Sequence, residues 1–260
     1  MKKTTIISVA NEKWGVGKTT TALNVGAALA SKGYKVLLID LDQQANLTDY
    51  LGYENDNGHT ISDVIFAVAS GHKYEYVNSI RFNADESLYY IPASKMLAST
   101  TAVLSSISDS QEVMKKILSS SFFNERFDYI IIDCRTALDL LVTNALVASD
   151  KLLIPAQAEK FSIDGVNGVM SSFYRIKRTL NPNVELGGIL INMYDKRTNM
   201  AKAVEDSLRY AYKEKVFKTV IPRLVEATNS TCEQRSLINT KNSRLGELYL
   251  SVAEEILKWA

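Results

Sequence analysis

The sequence predicts an α/β protein in which a mostly parallel, twisted sheet carries helices on both faces. Short apolar runs alternate with helical segments along the chain, and the clearest run, residues 128–133, is apolar throughout its interior. Continuous apolar strands are typical of parallel sheets covered on both faces, and the alternation favours βαβ units. No repeat, low-complexity tract or linker interrupts the sequence, so residues 1–260 are interpreted as a single domain.

Apolar and β-branched runs predict the strands, and longer segments with helical spacing predict the helices. Thr60 is a suitable helix cap with Asp63 in the first turn, and Pro222 ends the last strand. The polar stretch 71–86 predicts a surface excursion. In chain order the predicted elements are strand 4–10, helix 22–30, strand 35–40, helix 47–51, helix 60–69, strand 87–92, two helical pieces within 93–121, strand 128–133, helix 138–148, strand 151–155, helix 162–180, strand 186–192, helix 200–212, strand 216–221 and helix 245–259.

A glycine-containing loop, E-K-W-G-V-G-K-T-T-T at residues 12–21, lies between the first strand and the first helix. This is the context of a phosphate-binding loop, in which Gly15 and Gly17 let backbone N–H groups turn toward an anion at a helix N-terminus. Lys18 would reach the β- and γ-phosphates, and the Thr19 hydroxyl would ligate Mg²⁺. The alternative is a Gly/Lys-rich turn without a ligand.

The strict pattern G-x-x-x-x-G-K-[ST] fails at Glu12, and a variant with a second lysine, Lys13, fits instead. The loop resembles the deviant Walker A loop of the ParA/MinD ATPase family, with Trp14 in place of a glycine. Five further segments resemble motifs of the ParA/Soj-type partition ATPases of that family, in the same order. They are D-L-D-Q-Q-A-N-L-T at 40–48, Y-I-I-I-D-C at 129–134, I-P-A-Q-A-E-K-F-S-I-D-G at 154–165, G-I-L-I-N-M-Y-D-K-R-T-N at 188–199 and T-V-I-P-R at 219–223.

The resemblance implies a P-loop NTPase fold and a slow, partner-stimulated ATPase that uses ATP/ADP and Mg²⁺. Lys13 resembles the family's signature lysine, which crosses to the partner's phosphates in an ATP-bound dimer. Asp42 resembles the aspartate that orients the attacking water. The implied catalytic residues are Lys13, Lys18 and Asp42. The implied metal ligands are Thr19, Asp40 and Asp133. The implied nucleotide-binding residues are Lys13, Trp14, Gly15, Val16, Gly17, Lys18, Thr19, Thr20, Asn192 and Pro222.

The resemblance also implies a role in partition of plasmid, chromosome or mobile-element DNA. The expected partners are a second copy of the chain, a centromere-binding ParB-like protein and non-specific DNA. Arg197 matches a DNA-binding arginine of the family, although an ordinary surface arginine is the alternative. A net charge of +1 gives no general preference for nucleic acid, so a DNA contact would need a local basic patch.

Several features favour a cytoplasmic protein without a membrane partner, and the resemblance adds association with the nucleoid. No signal peptide or membrane-spanning run is recognisable, and the two cysteines, Cys134 and Cys232, are far apart and expected to be reduced thiols. The apolar face of the closing helix is expected to dock on the sheet, a membrane-targeting helix being the alternative.

Some residues depart from the family pattern. Trp14 is expected to block, loosen or repack the face-to-face ATP dimer, because glycine permits positive φ and close backbone approach. If dimerisation and hydrolysis are impaired in this way, the alternative function is that of a nucleotide-binding regulatory module. Arg135 and Thr136 replace two prolines, and Arg135 is either an added phosphate ligand or a solvated charge. Leu224 stands where the family commonly has an asparagine that contacts adenine. Glu226 stands where the family commonly has a DNA-binding arginine.

Overall fold

The computed structural model describes residues 4–160 and 162–259, and within them it contains a seven-stranded sheet of order β3-β4-β2-β5-β1-β6-β7. All neighbouring strands are parallel except β3 and β4, which are antiparallel. The strands are β1 Thr5–Val9, β2 Val36–Leu41, β3 Arg81–Asn83, β4 Leu88–Ile91, β5 Tyr129–Cys134, β6 Lys151–Gln157 and β7 Glu185–Asn192. The predicted α/β fold with a mostly parallel sheet is confirmed.

Helices cover both faces of this sheet. They are α1 Lys18–Ser31, α2 Asn46–Tyr50, α3 Ile61–Ala69, α4 Leu97–Ser105, α5 Val113–Leu118, α6 Ser121–Asn124, α7 Leu140–Ala148, α8 Ser162–Thr179, α9 Asn199–Tyr212, α10 Glu226–Cys232 and α11 Arg244–Ile256. Short 3₁₀ turns occupy Tyr76–Ser79 and Lys213–Lys215. None of the helices in the described ranges is long and apolar enough to span a membrane.

Two apolar layers lie on opposite faces of the sheet because successive side chains of a strand point in opposite directions. Within β5, Ile130 and Ile132 belong to the cluster that includes α3, α5, α7 and α8, whereas Ile131 belongs to the cluster with α1 and α11. Tyr249 and Val252 on α11 are fully buried, so the closing helix docks on the sheet side as expected.

The predicted strand 216–221 is wrong. Val216 forms an isolated bridge with Ile189, and the N–H groups of Phe217 and Ile221 donate to the carbonyls of Ile189 and Ile191 on β7. Between these two hydrogen bonds, the backbone N–H groups of Lys218 and Thr219 donate to the carboxylate of Glu255 on α11, at 2.8 and 2.9 Å. The Glu255 side chain therefore takes the hydrogen bonds that would have continued the pairing with β7, and the run is not a regular strand.

Strand β3 and helix α10 are among the elements that were not predicted. The stretch 71–86 contains β3, which forms a tight hairpin with β4 in which Ser87 adopts a left-handed φ of 52°. The rings of Phe82 and Tyr89 pack across it, 4.8 Å apart. Helix α10 follows Pro222 and carries few apolar residues, so its pattern gave no helical signal.

Candidate functional site

The loop between β1 and α1 has the backbone of an anion cradle. Gly15 and Gly17 adopt left-handed φ angles of 74° and 84°, and α1 begins directly after Gly17. A side chain at Gly15 would meet nothing within 4 Å, so φ, rather than space, requires glycine there. The first N–H groups of α1 receive no side-chain cap, which leaves them available to an anion.

Asn11 ties the loop to the rest of the sheet. Its Nδ2 donates to the carbonyl of Pro155 on β6 at 2.7 Å, and its Oδ1 accepts from the N–H of Lys13 at 2.8 Å. Helix α8 approaches so closely that a Cβ on Gly165 would lie 2.9 Å from this Oδ1. Asn11 was not among the predicted residues, since an asparagine after a strand carries no specific signal.

Lys18 lies buried under the loop. Its ammonium donates to the carbonyl of Lys13 at 3.3 Å and to Oγ1 of Thr136 at 3.1 Å. Burial lowers its pKa, and the nearby negative charge of Asp133 acts in the opposite direction. A phosphate oxygen would relieve this desolvation by supplying a negative partner.

Two carboxylates meet at the carboxyl ends of β2 and β5, where Asp40 and Asp133 are direct partners in the parallel register. Asp40 accepts hydrogen bonds from the N–H and hydroxyl of Thr48, at 2.9 and 2.7 Å, and from the N–H of Asp42 at 3.1 Å. Burial nevertheless raises the pKa of Asp40 to about 6.

Asp133 is the less satisfied of the two carboxylates. Its Oδ1 is buried and has no hydrogen-bond partner among the described residues. Burial, followed by the charge of Asp40, raises its pKa well above the usual range, and the Thr19 hydroxyl opposes that shift. A buried carboxylate oxygen without a partner points to a missing cation.

These oxygens fit magnesium. Two carboxylates and a hydroxyl are hard oxygen ligands, and Mg²⁺ is usually held by one or two carboxylates together with waters and substrate phosphates. Within the part of the chain that the structure describes, no group of three or more His, Cys, Asp or Glu forms a dedicated metal cage. Asp40, Asp133 and Thr19 therefore suit a metal ion that is bound together with the phosphates of a ligand.

Asp42 lies just beyond this pair and is partly exposed. Its Oδ1 accepts from the N–H of Gln44 at 3.0 Å, and Ala45 adopts a left-handed φ of 56° before α2 begins.

A cavity of about 320 Å³ opens beside the loop, at the end of β7, and is called the β7 cavity below. It is lined by Gly15, Gly17, Thr20, Asn192, Met193, Ile221, Pro222, Arg223, Leu224, Ala227, Thr228, Leu237, Leu245 and Tyr249. Asn192 donates to the carbonyl of Val16 at 3.0 Å and to Oγ1 of Thr21 at 3.1 Å, whereas its Oδ1 is buried without a described partner. The wall contributed by α10 and α11 was missed, because residues so distant in sequence share no motif.

The chain matches the AAA domain family over residues 4–186. It is 36% identical over 253 residues to the sporulation initiation inhibitor protein Soj of Bacillus subtilis, covering 96% of this chain and 97% of Soj. It is 32% identical to the chromosome partitioning protein ParA of Caulobacter vibrioides, covering 97% of this chain and 93% of ParA. This chain belongs to the ParA/Soj family of partition ATPases.

Solved structures agree with this family. A plasmid partition protein of Borrelia burgdorferi bound to AMPPNP superposes with a TM-score of 0.79 at 27% identity, covering the whole of both chains. A cobyrinic acid a,c-diamide synthase of Mycobacterium smegmatis with a bound ATP analogue and magnesium gives a TM-score of 0.83 at 29% identity, covering 98% of this chain and 95% of that chain.

Two residues of the loop, Trp14 and Lys13, differ in their exposure. The side chain of Trp14 is 77% exposed, and its φ is not positive. The backbone at this position therefore does not require glycine, and any effect of Trp14 on a face-to-face dimer would come from the bulk of the indole. Nζ of Lys13 lies 3.3 Å from Oε2 of Glu159, so Lys13 pairs with a carboxylate of its own chain.

Arg135, Arg197 and Glu226 each make a polar contact with a nearby residue of the chain. Arg135 pairs with Asp139, the N-cap of α7, at 3.1 Å. Arg197 is 82% exposed in its side chain and makes a bidentate pair with Asp195, at 2.7 and 2.8 Å. Glu226 accepts from the Ser243 hydroxyl at 2.7 Å and supports the start of α11, which is a structural use of that carboxylate.

Proposed function

We propose that this chain is a Mg²⁺-dependent ATPase that acts in DNA partition, dimerises with ATP and binds DNA non-specifically. The observation that carries the proposal is the unpartnered, buried Oδ1 of Asp133, beside Asp40 and close enough to Lys18 for its charge to raise the pKa of that ammonium at the glycine loop. Buried carboxylates and a buried lysine at one phosphate loop are the requirements of phosphoryl transfer. The family membership supports the role in partition.

Each proposed residue has a defined task. The β7 cavity would take the base, with Asn192 and Pro222 at its wall, and the N–H groups of residues 14–20 would bind the phosphates. Thr19, Asp40 and Asp133 would hold Mg²⁺, which neutralises charge that develops on the phosphoryl oxygens. Asp42 would orient the attacking water, and Lys13 would cross to the phosphates of a second copy.

The partners follow from the same proposal. A ParB-like, centromere-binding protein would stimulate a slow ATPase, and DNA would be contacted by Arg197 after its guanidinium exchanges Asp195 for a phosphate. Association with the nucleoid in the cytoplasm would follow from DNA binding. Slow turnover without the partner keeps the ATP-bound state long-lived.

A second function is favoured by one specific observation. The exposed indole of Trp14 stands at the loop where two nucleotide-bound faces would meet, and Lys13 is already paired with Glu159. A monomeric, nucleotide-binding regulatory module would have these properties. Its distinguishing feature is nucleotide binding without dimerisation or appreciable hydrolysis.

The deciding experiment is the solution mass by light scattering on the Asp42→Ala variant, with ADP–Mg²⁺ and then with ATP–Mg²⁺. A dimer with ATP alone is the expected result. Asp42→Ala combined with Lys13→Ala is the control, which should bind ATP and stay monomeric. In parallel, ATP turnover by the unmodified chain is measured with and without DNA.

The outcomes separate the two functions. A monomer with both nucleotides, together with calorimetric evidence of ATP binding and no turnover, would replace the partition ATPase by the regulatory module. Failure to bind either nucleotide would overturn both.

A further inference from the structure

Thr136 belongs to a pair of residues, Arg135 and Thr136, that stands where the family pattern has two prolines. The Thr136 hydroxyl accepts a hydrogen bond from the buried ammonium of Lys18 at 3.1 Å. Proline has no side-chain hydrogen-bonding group, so this contact with Lys18 is an addition to the family pattern.

The hydroxyl has a free donor. A threonine hydroxyl that accepts from an ammonium keeps its own O–H for a further acceptor. Among the described residues, Oγ1 of Thr136 makes no hydrogen bond other than the one from Lys18. Its O–H is therefore available to an oxygen that approaches Lys18.

The loop that carries Thr136 is held in place. Arg135 and the N-cap Asp139 form an ion pair at 3.1 Å, and the Asp139 carboxylate also accepts from the N–H groups of Leu141 and Val142. These contacts of Asp139 fix the conformation of the turn between β5 and α7. The hydroxyl is thus positioned before any ligand arrives.

The strand order indicates which phosphate would reach Thr136. The β7 cavity lies on one side of the loop that follows β1, and Thr136 lies just beyond β5 on the other side. Thr136 is not part of the cavity wall. A nucleotide with its base in the β7 cavity and its phosphates along the loop would therefore bring its last phosphate toward β5.

From this placement we propose that Thr136 binds the terminal phosphate of a nucleoside triphosphate and gives the site a preference for the triphosphate over the diphosphate. The proposal rests on the proposed nucleotide-binding function. The O–H of Thr136 and the ammonium of Lys18 would both donate hydrogen bonds to oxygens of the terminal phosphate. A nucleoside diphosphate lacks this phosphate. Thr136 discriminates between the two states of the nucleotide and takes no part in moving a proton.

The test is the ratio of affinities for a non-hydrolysable ATP analogue and for ADP, both with Mg²⁺, measured by titration calorimetry. Thr136→Val keeps the shape and removes the hydroxyl, and it should weaken binding of the ATP analogue about tenfold with ADP affinity unchanged within about twofold. Thr136→Ser should retain the parent ratio. Thr179→Val, at the exposed end of α8 and away from the loop and the β7 cavity, is the matched control and should leave the ratio unchanged.

The results separate this inference from the proposed function. If the parent chain binds both nucleotides and Thr136→Val keeps the parent ratio, or loses both affinities equally, the inference is overturned and the proposed function stands. If the parent chain binds neither nucleotide, both are overturned. Circular dichroism establishes that each variant is folded, and Thr136→Ala replaces Thr136→Val if the valine does not fit.

Discussion

The ammonium of Lys13 lies 3.3 Å from the Glu159 carboxylate of its own chain. Both side chains are partly exposed, so the pair contributes little to stability, and its consequence concerns where Lys13 points. In the proposed ATP-bound dimer, Lys13 must leave Glu159 to reach the phosphates of the other subunit. Formation of the dimer and the intramolecular pair therefore compete for one side chain.

Glu159→Gln should release that competition. The variant is expected to form the ATP-dependent dimer at severalfold lower protein concentration, with an unfolding free energy within about 1 kcal/mol of the parent. Light scattering over a concentration series in the Asp42→Ala background measures this. Glu254→Gln, which breaks the exposed Lys32–Glu254 pair far from the loop, is the control. An unchanged concentration dependence would show that the pair with Glu159 does not restrain Lys13.

Trp14→Gly tests the bulk of the indole at the loop. Because Trp14 is exposed and its φ is ordinary, we expect nucleotide affinity to stay within about twofold and stability to fall by only about 0.5–1 kcal/mol from the added chain entropy. ATP-dependent dimerisation, followed by light scattering, should increase. Trp14→Ala separates bulk from flexibility and should act in the same direction. If both variants dimerise less than the parent, the indole is a contact of the dimer and no obstacle to it.

The buried carboxylates predict an unusual pH dependence of the nucleotide-free protein. The pKa of Asp40 rises from an ordinary 3.8 to about 6, and burial also raises the pKa of Asp133 well above its usual range. A raised carboxyl pKa means that the folded state binds more protons than the unfolded state between those values. The stability that this contributes is fully present below pH 4 and is lost as pH rises, by about 3 kcal/mol up to pH 6 for Asp40 alone.

Asp133→Asn should remove much of this loss. Its free energy of unfolding at pH 8 is expected to exceed that of the parent by roughly 1–3 kcal/mol, with little difference at pH 4. Urea unfolding at both pH values measures this in the absence of nucleotide and metal. Asp109→Asn, at an exposed residue paired with Lys116, is the control and should show no such gain. Parallel pH profiles for the parent and Asp133→Asn would contradict the prediction.

Arg135 and Asp139 should contribute unequally to the free energy of unfolding. Asp139 caps α7 through the N–H groups of Leu141 and Val142, so Asp139→Ala should lower stability by about 1 kcal/mol. Arg135→Ala loses only a partly exposed ion pair, and a change below about 0.5 kcal/mol is expected. Because its guanidinium is engaged with Asp139, nucleotide affinity should also stay within about twofold. A tenfold loss of ATP affinity in Arg135→Ala, by calorimetry, would make it a phosphate ligand.

The sequence was sufficient where chemistry and pattern coincide. The loop residues Gly15, Gly17 and Lys18, and the strand-end carboxylates Asp40 and Asp133, lie together because parallel strands bring their carboxyl ends to one edge of the sheet. Local rules also located the start of α3, where Thr60 is the N-cap and the Asp63 carboxylate of the first turn accepts from the N–H of Thr60 at 2.7 Å.

Where tertiary contacts replaced local preference, the sequence failed. The run 216–221 has strand-forming residues, yet Glu255 takes the N–H groups of Lys218 and Thr219. The pairing of Lys13 with Glu159 and the hydrogen bond of Lys18 to Thr136 join residues more than 100 positions apart. No motif relates such pairs.

Gly246 on α11 provides a test of how closely the β7 cavity depends on helix packing. A Cβ at this position would lie 2.3 Å from the carbonyl oxygen of Leu237, a backbone atom that cannot swing away. Gly246→Ala must therefore displace α11 or the segment before it, and a loss of about 2 kcal/mol or more in unfolding free energy is expected.

Leu237 and Leu245, on either side of this contact, line the β7 cavity, so affinity for ADP and for the ATP analogue should fall together. Urea unfolding and calorimetry measure the two effects, with Glu247→Ala at an exposed position of the same helix as the control. Normal nucleotide affinity in a destabilised Gly246→Ala variant would mean that the base does not occupy this cavity.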